Sequence, residues 1–311
     1  REIRQHIPIL YLNIWDDYPA PIYNKDYYNS CDLLMGISKQ TVNINKLVLG
    51  KKAEGKVIKY VPHGINSESF FKITPEYKNY KAYKEFTTNV FNGKEGIEYV
   101  VFFNSRNIRR KQPSDLILAY RLFCDEIGVE AAKKCALILH TQPVDQNGTD
   151  LAKVKELLCD PSYVNVYFST QKLPTEQMNW MYNLADLTVL IDDKGKWIEF
   201  DADFPSNHRG TYKECGDWAI PIFPSNISLV GSVPTPYIFD DRCDAKDIKK
   251  AILEAYKLDP SERAERGIKG RVWAMSDEAK MTGNAMSNNI IKCIDETMDK
   301  FVPRKKFDFI K

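Results

Sequence analysis

At 311 residues, with 43% hydrophobic and 28% charged side chains, the chain has the composition of a folded protein larger than one hydrophobic core, which rarely grows beyond about 250 residues. Its 44 basic and 42 acidic residues nearly cancel at a net charge of +2, which excludes the charge imbalance of a disordered chain and carries no bulk nucleic-acid footprint. No apolar run approaches the roughly 20 residues that span a bilayer, and seven scattered cysteines without a C-x-x-C pair predict reduced thiols, a cytoplasmic compartment and no metal site.

The chain starts at Arg1 rather than methionine, without signal-peptide features, and a strand-like run covers Ile7–Asn13 almost at once. It is therefore expected to begin inside a domain whose front lies upstream or on another chain. A helix over Asn24–Ser30, a strand at Leu33–Ile37, a helix from Lys39 and a strand at Val57–Val61 give the alternation of a parallel sheet. Pro62-His63-Gly64 breaks it, and residues 66–96, rich in tyrosine and lysine, read as a connector plus helix.

A second unit opens at Tyr99–Phe103. Leu116, Ala119, Tyr120 and Phe123 have helical spacing, Ala136–Leu139 reads as a buried strand, Asp150–Leu158 as a helix and Val164–Phe168 as a strand. A helix over Thr175–Leu184 with Thr175 as its start signal, a strand at Leu187–Ile191, a short helix at Thr211–Trp218 and a strand at Ile220–Phe223 complete a doubly wound pattern. Helices over Ala245–Tyr256 and Pro260–Met275 and a long stretch from Glu278 to Lys300 close the chain.

Asn104-Ser105-Arg106-Asn107-Ile108-Arg109-Arg110-Lys111-Gln112 follows the strand at 99–103, where ligands bind in open α/β sheets. Arg106 and Lys111 combine a planar fork and a point charge beside a helix N-terminus, which suits a diphosphate; a basic turn is also commonly a solvated loop. This turn resembles the G-R-L-x-x-x-K-G turn of the family 4 retaining glycosyltransferases, with Arg106 and Lys111 on its arginine and lysine and Ser105 and Gln112 in place of its glycines. Tyr182, Ala185 and Asp186 match that family's Y-x-x-A-D helix and also read as plain packing, with Asp186 as a cap. Glu214, aligned on Pro221, takes the second glutamate of E-G-F-G-x-x-x-x-E, while Ser206 stands where the first belongs.

The resemblance implies an α/β fold of GT-B type, two Rossmann-like domains with parallel sheets, the N-terminal one incomplete. Residues 1–64 would be the end of an acceptor domain, 65–288 the donor domain and 289–311 a helix crossing back. The implied reaction moves a hexosyl or pentosyl group from a nucleoside diphosphate sugar to a hydroxyl acceptor with retention, without metal or further cofactor. Arg106 and Lys111 would hold and stabilise the diphosphate, Glu214 the ribose, and Ser206, Asn207, His208, Arg209 and Gly210 the sugar end, with Asp203 nearby. Val61-Pro62-His63-Gly64 resembles the family's interdomain hinge, with His63 in place of asparagine, and Trp15 and Asp16 stand where the family's histidine-aspartate pair would be, so that Asp16 or Asp17 would orient the acceptor or would simply cap a turn. Base recognition is expected from backbone groups near 141–147 and 169–172. The lost glutamate and glycines also fit a non-catalytic nucleotide- or glycan-binding scaffold. The basic clusters 109–111 and 304–306 leave a nucleic-acid acceptor open.

Overall fold

The computed structural model describes residues 6–17, 19–189, 216–231 and 237–303. The first apolar runs pair in chain order as a three-stranded parallel sheet: β1 (Leu10–Asn13), β2 (Leu33–Gly36) and β3 (Val57–Tyr60). Helices α1 (Lys25–Ser30) and α2 (Lys39–Leu49) connect them. The side chain of Ser38 accepts the Thr41 amide to start α2, and Gly50, at φ 57°, ends it. Strand alternation divides the core. Leu34 faces Tyr28, Ile44, Val48 and Leu49, whereas Leu33 and Met35 join Val57 and Val61 on the other face.

Helix α3 (Tyr80–Val90) precedes the second sheet, which consists of β4 (Tyr99–Asn104), β5 (Cys135–His140), β6 (Val166–Ser169) and β7 (Leu187–Thr188). All its pairs are parallel, in the order β6-β5-β4-β7. The chain thus builds outward from β4 and then returns to its other side, leaving a topological switch point between β4 and β7. Connections run through α4 (Pro113–Ile127), the short α5 (Val129–Ala132), α6 (Leu151–Leu158) and α7 (Thr175–Leu184). Val101 and Phe103 pack with α4 in the main core, while Val100 and Phe102 face Phe91 and Met181. Phe102 and Phe103 are fully buried, and each contributes about 1.5–3 kcal/mol by leaving water.

An antiparallel hairpin, β8 (Asn226–Val230) and β9 (Ile238–Arg242), follows, a feature the sequence pattern did not signal. Helices α8 (Ala245–Lys257), α9 (Pro260–Ala274) and α10 (Gly283–Lys300) complete the chain. The strand expected at Ile220–Phe223 does not form. Pro221 and Pro224 remove ladder donors, although Ile220 and Ile222 still pack against the main core. Helix α7 begins at Thr175, but its cap position is Pro174, so Thr175 is the first helical residue. Of the helix expected over 211–218, residues 211–215 lie outside the described residues and Asp217 and Trp218 form a turn.

Helix α10 returns to the first sheet. Its Met286, Ile290 and Cys293 cover Leu33, Met35, Val57 and Val61. Just before it, the Ile65 amide donates to the Met281 carbonyl at 2.8 Å, and the Gly283 amide donates to the Ile65 carbonyl at 2.9 Å.

Candidate functional site

Strand β4 ends at Asn104, whose side-chain amide donates to the Tyr182 hydroxyl at 3.0 Å. The chain then passes through a 3-10 turn at Arg109–Lys111 and through Gln112, at φ 46° and ψ 42°, and enters α4 with Pro113 in its first turn. That left-handed backbone is the conformation glycine adopts most readily, and a side chain there costs about 1–2 kcal/mol. The buried Gln112 offsets the cost. Its Nε2 donates to the Asp241 carbonyl at 3.2 Å and its Oε1 accepts from the Cys243 amide at 3.1 Å, so the residue that departs from glycine ties the turn to β9.

Asn107 anchors the other side of the turn. Fully buried, it donates through Nδ2 to the carbonyls of Pro143 (3.1 Å) and Thr149 (2.7 Å) and accepts the Thr149 amide at 3.3 Å. The Arg109 amide adds a bond to the Asn147 carbonyl at 3.0 Å. A Cβ at Gly148 would lie 2.2 Å from the Asn107 carbonyl oxygen, which explains a glycine in that loop. These bonds join the loop after β4 to the loop after β5 as one unit.

Arg106 projects from this frame with its side chain 64% exposed. Its Nε donates to Asp145 Oδ2 at 2.7 Å and its Nη2 to Oδ1 at 3.2 Å. Asp145 Oδ1 also accepts the Asn147 amide at 2.9 Å. The bond from Arg106, reinforced by that amide, holds the Asp145 carboxyl below the usual carboxylate range. Lys111 is half-buried at the end of the 3-10 turn, and Arg109 and Arg110 are exposed. Four cations therefore cluster between the C-terminal end of β4 and the N-terminus of α4, an arrangement suited to an anion.

On the neighbouring strands, His140 Nδ1 lies 2.9 Å from Ser169 Oγ across the ends of β5 and β6. Burial lowers the pKa of His140, which favours the neutral ring. Gln142 donates to the Thr170 carbonyl at 2.9 Å, while the buried Thr141 hydroxyl has no hydrogen-bond partner among the described residues.

At the first sheet, the buried Asn13 at the end of β1 donates to the Asn45 side chain and accepts the Trp15 amide at 3.1 Å. Asp16 follows, its carbonyl accepting from Gln40 Nε2 at 3.2 Å, so the loop lies against the start of α2. Trp15 meets Tyr23 edge-on with centroids 6.1 Å apart. Burial, then the nearby Asp17, raises the Tyr23 pKa. The hairpin thus meets the turn after β4 through Gln112. His63 is exposed at the crossing between units. Gly64 is packed there: a Cβ would lie 2.6 Å from the Gly283 Cα, and its amide donates to Met286 Sδ at 3.2 Å.

Arg106 and Lys111 therefore share one turn, Asp16 lies on the C-terminal edge of the first sheet, and His63 and Gly64 lie at the crossing. Glu214, Ser206, Asn207, His208, Arg209, Gly210 and Asp203 lie outside the described residues. Tyr182 and Ala185 pack behind the sheet, the Tyr182 ring meeting Phe102 edge-on at 5.3 Å. Asp186 sits at the opposite edge, accepting the Val100 amide at 2.9 Å and Arg263 Nε at 3.3 Å; burial raises its pKa despite both contacts. The sequence reading overlooked Asn107 and Asp145. An asparagine just after a strand was the available signal for Asn107, but its three partners lie 36 to 42 residues away. Among the described residues no group of three or more His, Cys, Asp or Glu has the arrangement to hold a metal ion.

No protein-family model matches the sequence, and no curated protein matches it. Solved structures do match in fold. A UDP-forming α,α-trehalose-phosphate synthase from Burkholderia xenovorans superposes with a TM-score of 0.63 at 10% identity, over 96% of this chain and 70% of that one. Sucrose-phosphate synthase from Thermosynechococcus elongatus gives 0.59 at 15% identity, over 96% and 71%. A glycosyltransferase from Rickettsia africae gives 0.56 at 14% identity, over 93% and 70%. At these identities the likeness is one of fold: an α/β architecture of GT-B type with parallel sheets.

Proposed function

We propose that this chain is a retaining glycosyltransferase that uses a nucleoside diphosphate sugar, with residues 65–288 as the donor unit, the segment before them as part of the acceptor unit and the C-terminal helix as the return crossing. The observation that carries this reading is the cationic turn after β4 at the switch point of the second sheet. Arg106 and Lys111 bind the donor diphosphate, and as the bond to the sugar breaks they stabilise the charge that gathers on the leaving group. Glu214 takes the ribose, residues 206–210 the sugar end, and Asp16 orients the acceptor hydroxyl, which attacks on the face the leaving group vacates and passes its proton to the departing diphosphate. UDP is the first nucleotide to try, since similar folds include UDP-forming synthases. No metal or further cofactor takes part in this reading. A cytoplasmic setting accords with the free thiols of the six described cysteines.

A second reading, a nucleotide- or glycan-binding scaffold without catalysis, draws support from Ser206 in the place of the family's first glutamate. A thermal-shift screen against UDP, GDP, ADP and their sugar conjugates, with and without magnesium, tests the donor site, because a ligand of the native state must raise its apparent stability. The expected result is a metal-independent shift with one diphosphate, reduced on the order of tenfold in affinity or more by Arg106→Ala. Equal affinity in that variant overturns the assignment. Binding without release of nucleoside diphosphate in the presence of any acceptor turns the reading to the scaffold.

A further inference from the structure

Resting on the donor-site reading, we infer that Asp145 is an internal competitor for the donor diphosphate, so that the donor binds by exchanging a phosphate for a carboxylate on the Arg106 guanidinium. The fork that a phosphate would take bidentately, Nε and Nη2, is the edge that Asp145 holds at 2.7 and 3.2 Å. The two partners are unequally fixed. The Asp145 side chain is 13% exposed, is bonded to the Asn147 amide at 2.9 Å, and sits in a loop fastened at both ends by Asn107 through Pro143 and Thr149. The Arg106 side chain is 64% exposed. In the exchange the arginine therefore swings, and the carboxylate remains as a fixed alternative partner.

Such a pair sets donor affinity without touching the donor. Whatever fraction of the chain has Arg106 docked on Asp145 is unavailable to phosphate, and the apparent dissociation constant rises by the reciprocal of the free fraction. A pair open to water is weak enough to exchange, and a diphosphate, carrying several charges against the single charge of a carboxylate, outcompetes it. The exposed Arg109 and Arg110 keep the turn attractive to anions while Arg106 is engaged.

The test is a double-mutant cycle read as affinity for inorganic pyrophosphate without magnesium, by titration calorimetry on the full chain. Asp145→Asn keeps an oxygen for the Asn147 amide and so preserves the loop. It is expected to tighten pyrophosphate binding by about threefold to tenfold. In the Arg106→Ala background the same change is expected to give no gain, because the competitor has nothing left to occupy. Binding by Asp145→Asn that is equal to or weaker than that of the unmodified chain overturns the inference. So does a full gain in the Arg106→Ala background, which would mean simple charge repulsion. If Arg106→Ala alone leaves nucleoside diphosphate affinity unchanged, the donor-site reading itself fails, a result distinct from either.

Discussion

The two parallel sheets secure their C-terminal edges by opposite means. In the second, two buried amides do it locally: Asn107 binds the loop after β5, and Gln112 binds β9. In the first, the restraint comes from the far end of the chain, where α10 covers one face and the segment before it pairs with Ile65. Asn13 and Asn45 form a smaller local clamp there, but Asn45 Nδ2 has no hydrogen-bond partner among the described residues. The difference teaches that the cationic turn is braced within its own unit, whereas the edge of the first sheet is set by how the chain closes on itself. A site that must hold charge in fixed positions gains from the first arrangement, because the backbone that carries its cations is already in place when the ligand arrives and only the Arg106 side chain has to exchange partners.

Breaking the local clamp should have the largest effect. Asn107→Ala removes the partner of one backbone amide and two carbonyls, and destabilisation of about 1–3 kcal/mol is expected in urea unfolding, with amide exchange over residues 143–149 accelerated most. Unchanged protection in that loop would dissolve the contrast. Gly64→Ala attacks the closure instead. A Cβ facing the Gly283 backbone at 2.6 Å should cost about 1–3 kcal/mol and raise exchange in α10 while leaving the second sheet protected. The smallest effect sharpens the same point. Glu296 on α10 meets Lys300 at 2.7 Å and Lys59 of β3 at 2.8 Å, and these ammonium groups lower its pKa from 4.5 to about 2. A depressed carboxylate stabilises the fold above its unfolded value and loses that contribution as pH falls between those limits. Protection of α10 should therefore decline slightly over that window, and Glu296→Gln should flatten the decline; water around the pair keeps the change small.

Legibility followed distance along the chain. Parallel strands buried on both faces are continuous apolar runs, so Tyr99–Phe103 and Ala136–Leu139 stand out, and the helix at 175–184 ends where its pattern ends. Ile220–Phe223 misled because apolar character was weighed above the two prolines that deny it a ladder. The β8–β9 hairpin escaped notice because three of the five residues of β9, Asp240, Asp241 and Arg242, are charged and leave no apolar run to mark a strand.

The order of the motifs by itself determined the fold type and singled out the turn that holds Arg106 and Lys111, since strand period, helix period and turn chemistry are local properties of the chain. Only the tertiary structure decided which partners those residues meet. Nothing within several residues of Arg106 announces Asp145, 39 positions away, and nothing near Gln112 announces β9. A glutamine where the resemblance expects glycine looks like decay in the sequence and becomes a brace in the fold, because the same backbone angle that disfavours its side chain carries that side chain to two backbone groups at the end of β9.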